Sequence, residues 1–209
     1  MATNYHQPLV GQSNAILSWM YMAAYWAVAF FVGWKKGYLQ QLHLHHDVTL
    51  WHIVALHVTI FCQMAFNTRF DRHDRIPNLF WSALFAAFNG LCETFCFLYS
   101  YDLGRHHRFS HDRPWVGMLL GWNVYFIYNA LIHAKFWLTR AFPPDHIKQD
   151  APPFQKHGLP ILLALSIAWL GIYEYFDDVL YVCFLHAIVD GWAAWKIALP
   201  GPWQKSLVE

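Results

Sequence analysis

At 209 residues the chain has the length of one domain, yet only 13% of it is charged, against roughly a quarter in soluble domains. Hydrophobic residues make up 57% and aromatic residues 19%, a balance that excludes an ordinary water-soluble core and points to a bilayer protein. A formal net charge of +1 gives no footing for nucleic acid or an acidic partner.

Six stretches reach the roughly 20 mainly apolar residues a membrane helix needs. They are Ala15–Trp34, Val48–Asn67, Asn78–Tyr101, Pro114–Leu138, Leu159–Phe176 and Val179–Pro200. They predict an all-α fold, a polytopic membrane helical bundle of about six transmembrane helices forming a single domain over residues 1–209. The runs are unbroken, unlike the short alternating segments of a membrane barrel. Charge collects between them, at Lys35 and Lys36, Arg69, Arg72 and Arg75, Arg105, Arg108 and Arg113, then Arg140, Lys148 and Lys156. Pro143, Pro144, Pro152 and Pro153 forbid a long helix in the fourth linker. Trp51, Trp81, Trp115, Trp137 and Trp203 sit where interfacial anchors belong.

The segment before the first span has no basic residue, so it lacks the positive start of a secretory signal. The first span therefore reads as retained and offers little polarity beyond Tyr21 and Tyr25. The second carries Thr49, His52, Thr59, Gln63 and Asn67 within about an 80° arc at helical period, with His57 off that stripe as a packing or interface residue. In the third lies Glu93, deep in apolar sequence, with Asn89 one turn before it on the same face. Ionisable groups inside a bilayer cost about 2.5–3.5 kcal/mol each, so they need a partner, a cavity or a function. Lipid disfavours the charged carboxylate, so Glu93 should keep its proton near neutral pH and act as an acid. The plainer alternative is a structural Glu bonded to a neighbouring helix.

Asn129 and His133 lie one turn apart in the fourth span. Glu174 and Asp177, near the end of the fifth, read as solvated. The sixth span opens at Asp178 and carries His186 and Asp190 on one face, a pairing that orients an imidazole for proton transfer or else locks helix packing. Four spans thus bear a polar stripe that could face one shared cavity.

Cys62, Cys92, Cys96 and Cys183 all fall in apolar runs and read as core residues rather than a disulfide framework. Fourteen histidines raise the question of a metal. His43, His45 and His46 precede the second span, while His106, His107 and His111 follow the third. The run HHRFSH has the His-x-x-x-His spacing of one histidine box of membrane desaturases, but the companion boxes are missing and HLHHD departs from them. No metal or other cofactor is therefore expected. Haem or pigment ligation by His52, His57, His133 or His186 is the lesser alternative.

The segment CETFCFLYSYDLG, Cys92–Gly104, resembles the conserved segment of the emopamil-binding family, the EXPERA-like sterol Δ8–Δ7 isomerases, at Glu93, Leu98, Tyr99, Asp102 and Leu103. DDVLYVCF, Asp177–Phe184, is similar to that family's Gly-Asp-Val-Leu-Tyr stretch, with Asp178 at the acidic position. AAWKIALPG, Ala193–Gly201, is similar to its closing Trp-rich segment, with the Trp-to-Pro spacing off by one. Where the isomerases carry His one turn before the Glu, this chain has Asn89. An early intramembrane Glu and a late Asp also resemble the small membrane-bound terpene cyclases of meroterpenoid pathways.

Both resemblances imply protonation of an alkene or epoxide, a carbocation, and a final proton loss. They imply Glu93 as donor, with Asp178, or His186 and Asp190, holding the acid or removing the last proton. Asn89, Asn129, His133, Phe97 and Tyr181 are the candidate substrate-binding residues. The implied partner is a hydrophobic isoprenoid or sterol-like substrate taken from membrane lipid, with the aromatic residues stabilising the cation. The implied setting is a multi-pass membrane protein, in the endoplasmic reticulum if the source is eukaryotic. A non-catalytic lipid-binding protein of the same build is the second expectation.

Overall fold

A computed structural model describes residues 12–43, 47–67, 77–107, 113–133, 159–196 and 198–203. Its described residues form six helices: α1 Gln12–Lys36, α2 Leu50–Asn67, α3 Leu79–Arg105, α4 Pro114–Ile132, α5 Leu159–Phe176 and α6 Val179–Lys196. Three are long and apolar enough to cross a membrane, over Ala15–Lys36, Leu79–Arg105 and Pro114–Ile132. Leu50–Ala65 and Pro160–Phe176 are shorter apolar helices. Large apolar side chains such as Phe31, Phe61, Leu79 and Ile127 stand outward. Contiguous exposed apolar surface of this kind belongs against lipid or a partner rather than water.

Local chemistry sets the helix ends. α1 stops at Gly37, whose φ of +83° suits glycine, while Tyr38 N–H reaches back to the Gly33 carbonyl at 2.9 Å. α6 stops the same way: Ala198 has φ +48°, and Leu199 N–H bonds the Ala194 carbonyl at 2.9 Å. That turn ends the helix short of the expected Pro200. α4 begins on Pro114, and α3 is capped by the Asn78 side chain, which accepts from Trp81 N–H. The predicted extension of the fourth span beyond residue 133 lies outside the described residues, as do His45, His46 and His111.

α3 is the hub, packed against α1, α4 and α6, while α2 leans on α5 and α6. The α3–α6 seam is built from small residues. A Cβ on Gly90 would sit 2.7 Å from the Ala187 backbone, and one on Gly191 would sit 3.0 Å from Ala86 Cβ. Ala86 and Gly90 face Gly191 and Ala187 in antiparallel order, the small-residue spacing that lets membrane helices approach closely.

Consecutive helices run in opposite directions. At one end of the bundle Trp19 Nε1 donates to the Pro200 carbonyl at 2.9 Å, and the Trp19 and Trp81 rings lie 5.0 Å apart. The start of α1, the start of α3 and the exit of α6 therefore meet there. At the other end Tyr38, just past α1, donates to Asp102 near the end of α3 at 2.6 Å. There too α2 starts beside the start of α6, where Tyr181 Oη donates to the His52 carbonyl at 2.9 Å.

Candidate functional site

The seam brings one polar cluster into the middle of the bundle. Glu93 Oε2 lies 3.3 Å from His186 Nε2, and the same nitrogen lies 3.3 Å from Asp190 Oδ2. The Asn89 amide nitrogen donates to both carboxyl groups, at 2.6 Å to Glu93 and 2.9 Å to Asp190. Trp26 Nε1 on α1 donates to Asn89 Oδ1 at 2.8 Å, which holds the amide nitrogen toward the carboxyls. On the far side of the imidazole, Thr94 Oγ1 lies 3.0 Å from His186 Nδ1. Glu93, Asn89, Thr94 and His186 are all buried.

Aromatic rings enclose the imidazole. Phe97 stacks on His186 at 5.4 Å and 11°, and Trp169 lies against it at 4.9 Å. A protonated imidazole between two such faces gains cation–π stabilisation, about 0.5–2 kcal/mol per ring when desolvated. Trp169 is itself held by its Nε1 hydrogen bond to Thr59 Oγ1 at 2.9 Å.

The cluster gathers Glu93, His186, Asp190, Asn89 and Phe97 from among the residues expected at the site. His133 stands beside it, its ring 6.2 Å from Phe97, with Nδ1 donating to the Asn129 backbone carbonyl at 2.8 Å. Asn129 is buried on α4. Asp178 and Tyr181 are not part of it. Asp178 lies two turns before His186, about 12 Å along the helix. Its Oδ1 accepts from Tyr181 N–H at 2.9 Å, a helix cap, and its Oδ2 lies 3.4 Å from His52 Nε2. A carboxylate before the first turn of a helix satisfies free backbone N–H groups, and that role accounts for Asp178 here. Of the polar stripe of α2, His52 lies beside Asp178 and Thr59 under Trp169.

Glu174, expected to be solvated, is paired. It binds Arg105 through Nη2 at 2.9 Å and Nε at 2.9 Å, and accepts from Tyr101 Oη at 2.6 Å. Beside it Asp102 accepts from Tyr38 at 2.6 Å and from Tyr173 at 3.0 Å. Burial, and then the Asp102 carboxylate, push the Tyr38 hydroxyl well above the ordinary phenol range. These two knots tie the end of α3 to α5 and to the turn after α1.

Sequence reasoning missed Trp26, Thr94 and Trp169. Thr94 follows Glu93 directly, and that adjacency was a usable signal. The two tryptophans reach the cluster only through helix packing and left no local trace.

Glu93, His186 and Asp190 offer one ligand atom each, all within 4.8 Å of one another, a donor set a divalent cation could also take. Comparison of the chain with family models, curated proteins and solved structures finds no match to any of the three. Fold and site thus define a helical bundle with a buried carboxyl–imidazole–carboxyl cluster, and its function is argued from that cluster.

Proposed function

We propose that the chain is a six-span membrane enzyme that isomerises or cyclises an isoprenoid lipid, terpenoid or sterol, through a carbocation, with Glu93 as proton donor. The observation that carries this reading is the single imidazole nitrogen held 3.3 Å from each of two carboxyl groups inside an apolar bundle.

Charge in lipid is expensive, so the trio is least costly when its net charge is zero. That charge is met by a neutral imidazole with two carboxylic acids and, once one of those protons moves to Nε2, by an imidazolium with one carboxylate and one carboxylic acid. Either arrangement keeps a carboxyl proton available to an alkene or epoxide. Proton addition breaks the π bond or the C–O bond and leaves a cation on carbon. Loss of a neighbouring C–H proton to the remaining carboxylate closes the cycle, and no redox partner is needed. Phe97 and Trp169, which lie against the His186 ring, are non-nucleophilic faces that suit a cation. The segment resemblances around Glu93 and at Ala193–Gly201 agree with this chemistry.

The test is incubation of purified protein with prenylated and sterol-type alkenes and epoxides in deuterated water, read by chromatography and mass spectrometry. A new isomer carrying deuterium is expected. Glu93→Gln should lose turnover at least a hundredfold, the lower end of the range for general acid catalysis, while unfolding close to the wild-type temperature. Substrate binding without any product would replace the reading with lipid binding alone. Turnover should also survive exhaustive chelation. Loss on chelation and recovery on adding a divalent metal would reassign the cluster to a cation.

A further inference from the structure

The reading of the cluster as a proton donor leaves open which imidazole nitrogen exchanges its hydrogen. Thr94 Oγ1 lies 2.6 Å from the Gly90 carbonyl oxygen and 3.0 Å from His186 Nδ1. Two oxygens at 2.6 Å repel unless a hydrogen lies between them, and a carbonyl has none to give. The single Thr94 hydroxyl hydrogen is therefore committed to Gly90. Toward His186 the hydroxyl has only lone pairs left, so Nδ1 must be the donor.

We propose that Thr94 is a positioning residue that fixes the hydrogen of His186 on Nδ1, so that every proton the imidazole exchanges with the carboxyl groups passes through Nε2, the nitrogen facing Glu93 and Asp190. The geometry is a relay of fixed direction: Nδ1–H into Thr94, the Thr94 hydroxyl into Gly90, and Nε2 toward both carboxyl groups. The same helix turn that carries Glu93 thus also sets the tautomer of its partner. The ring cannot flip without placing a C–H against Thr94 and losing the Nε2 contacts. Its faces are held by Phe97 and Trp169. This deepens the proposed function and rests on it only for the kinetic part.

The test uses full-length protein labelled with 15N-histidine in lipid nanodiscs, with the His186 signals assigned by difference against His186→Gln. At a pH high enough to leave the ring neutral, wild-type His186 carries its hydrogen on Nδ1 and none on Nε2. Thr94→Ser keeps the hydroxyl and should keep that signature. Thr94→Val keeps the shape but removes the acceptor, so the Nδ1 hydrogen signal should disappear or split between the two nitrogens. Given turnover, kcat should fall about ten- to a hundredfold in Thr94→Val with KM unchanged, the range known for the hydrogen-bond partners of metal-bound imidazoles, and Thr94→Ser should restore it. An unprotonated Nδ1 in the wild-type spectrum, or an unchanged spectrum in Thr94→Val, overturns the inference. A correct tautomer signature without any product isomer sinks the isomerase reading and leaves the role of Thr94 standing.

Discussion

The hydrogen bond from Trp26 to Asn89 decides how the carboxyl cluster is held. Asn89 presents nitrogen to both carboxyl groups because its oxygen is occupied by the indole N–H on α1. Trp26→Phe preserves most of the packing and leaves a buried acceptor unpaired, which should cost about 1–3 kcal/mol of stability. Unfolding in a mild detergent measures this directly, and an unchanged midpoint would mean that the bond contributes nothing. Glu93 was legible in the sequence because a lone acid in an apolar run has few bland explanations. His186 and Asp190 were legible as a pair one turn apart. Asp178 stands apart from the cluster as the cap of α6: a helix start and a proton-transfer site both favour a carboxylate, and sequence alone does not separate the two. Glu174 was misread because its partners, Arg105 and Tyr101, lie on another helix.

Among the elements, the α3–α6 seam makes the site possible. Glu93 and His186 touch because Gly90 lets the two backbones meet; a Cβ there would fall 2.7 Å from main-chain atoms of Ala187. A backbone neighbour cannot rotate aside, so Gly90→Ala should separate the helices and destabilise the protein by about 1–3 kcal/mol, the usual cost of overpacking. Gly191→Ala meets only the Ala86 Cβ, at 3.0 Å, and should cost less. Thermal unfolding of the two variants gives the order, and equal effects would show that the seam is not limited at Gly90. The helix positions could be read from the apolar runs, since each run lies between charged or proline-bearing linkers that interrupt it. The seam itself was present in the sequence as paired small residues, but which helices such residues join is settled only by packing around them.

For the whole molecule, the direction of each helix bears on the six-span reading proposed above. α1, α3 and α4 meet the length and apolarity of a span by themselves, whereas α6, which carries His186 and Asp190, is not among them. Yet α1 ends beside the end of α3, through Tyr38 and Asp102, while its start lies beside the start of α3, through Trp19 and Trp81. Between Lys36 and Leu79 the chain must therefore return across the full height of the bundle, and α2 lies on that path. Its 18 residues measure about 27 Å, close to the roughly 30 Å of a hydrocarbon core. α6 lies antiparallel to α3 along the seam, so a bilayer that surrounds α3 also surrounds α6. His186 and Asp190 are bonded toward α3, as ionisable groups on a bilayer-spanning helix would have to be. The six-span reading predicts that both termini lie on one side of the membrane, whereas three crossings would place them on opposite sides. Epitope tags at each terminus, probed by protease in sealed vesicles before and after permeabilisation, distinguish the two. Equal protection of both tags is expected. Protection of only one would remove the six-span arrangement and, with it, the lipid surroundings that keep the Glu93 cluster dry.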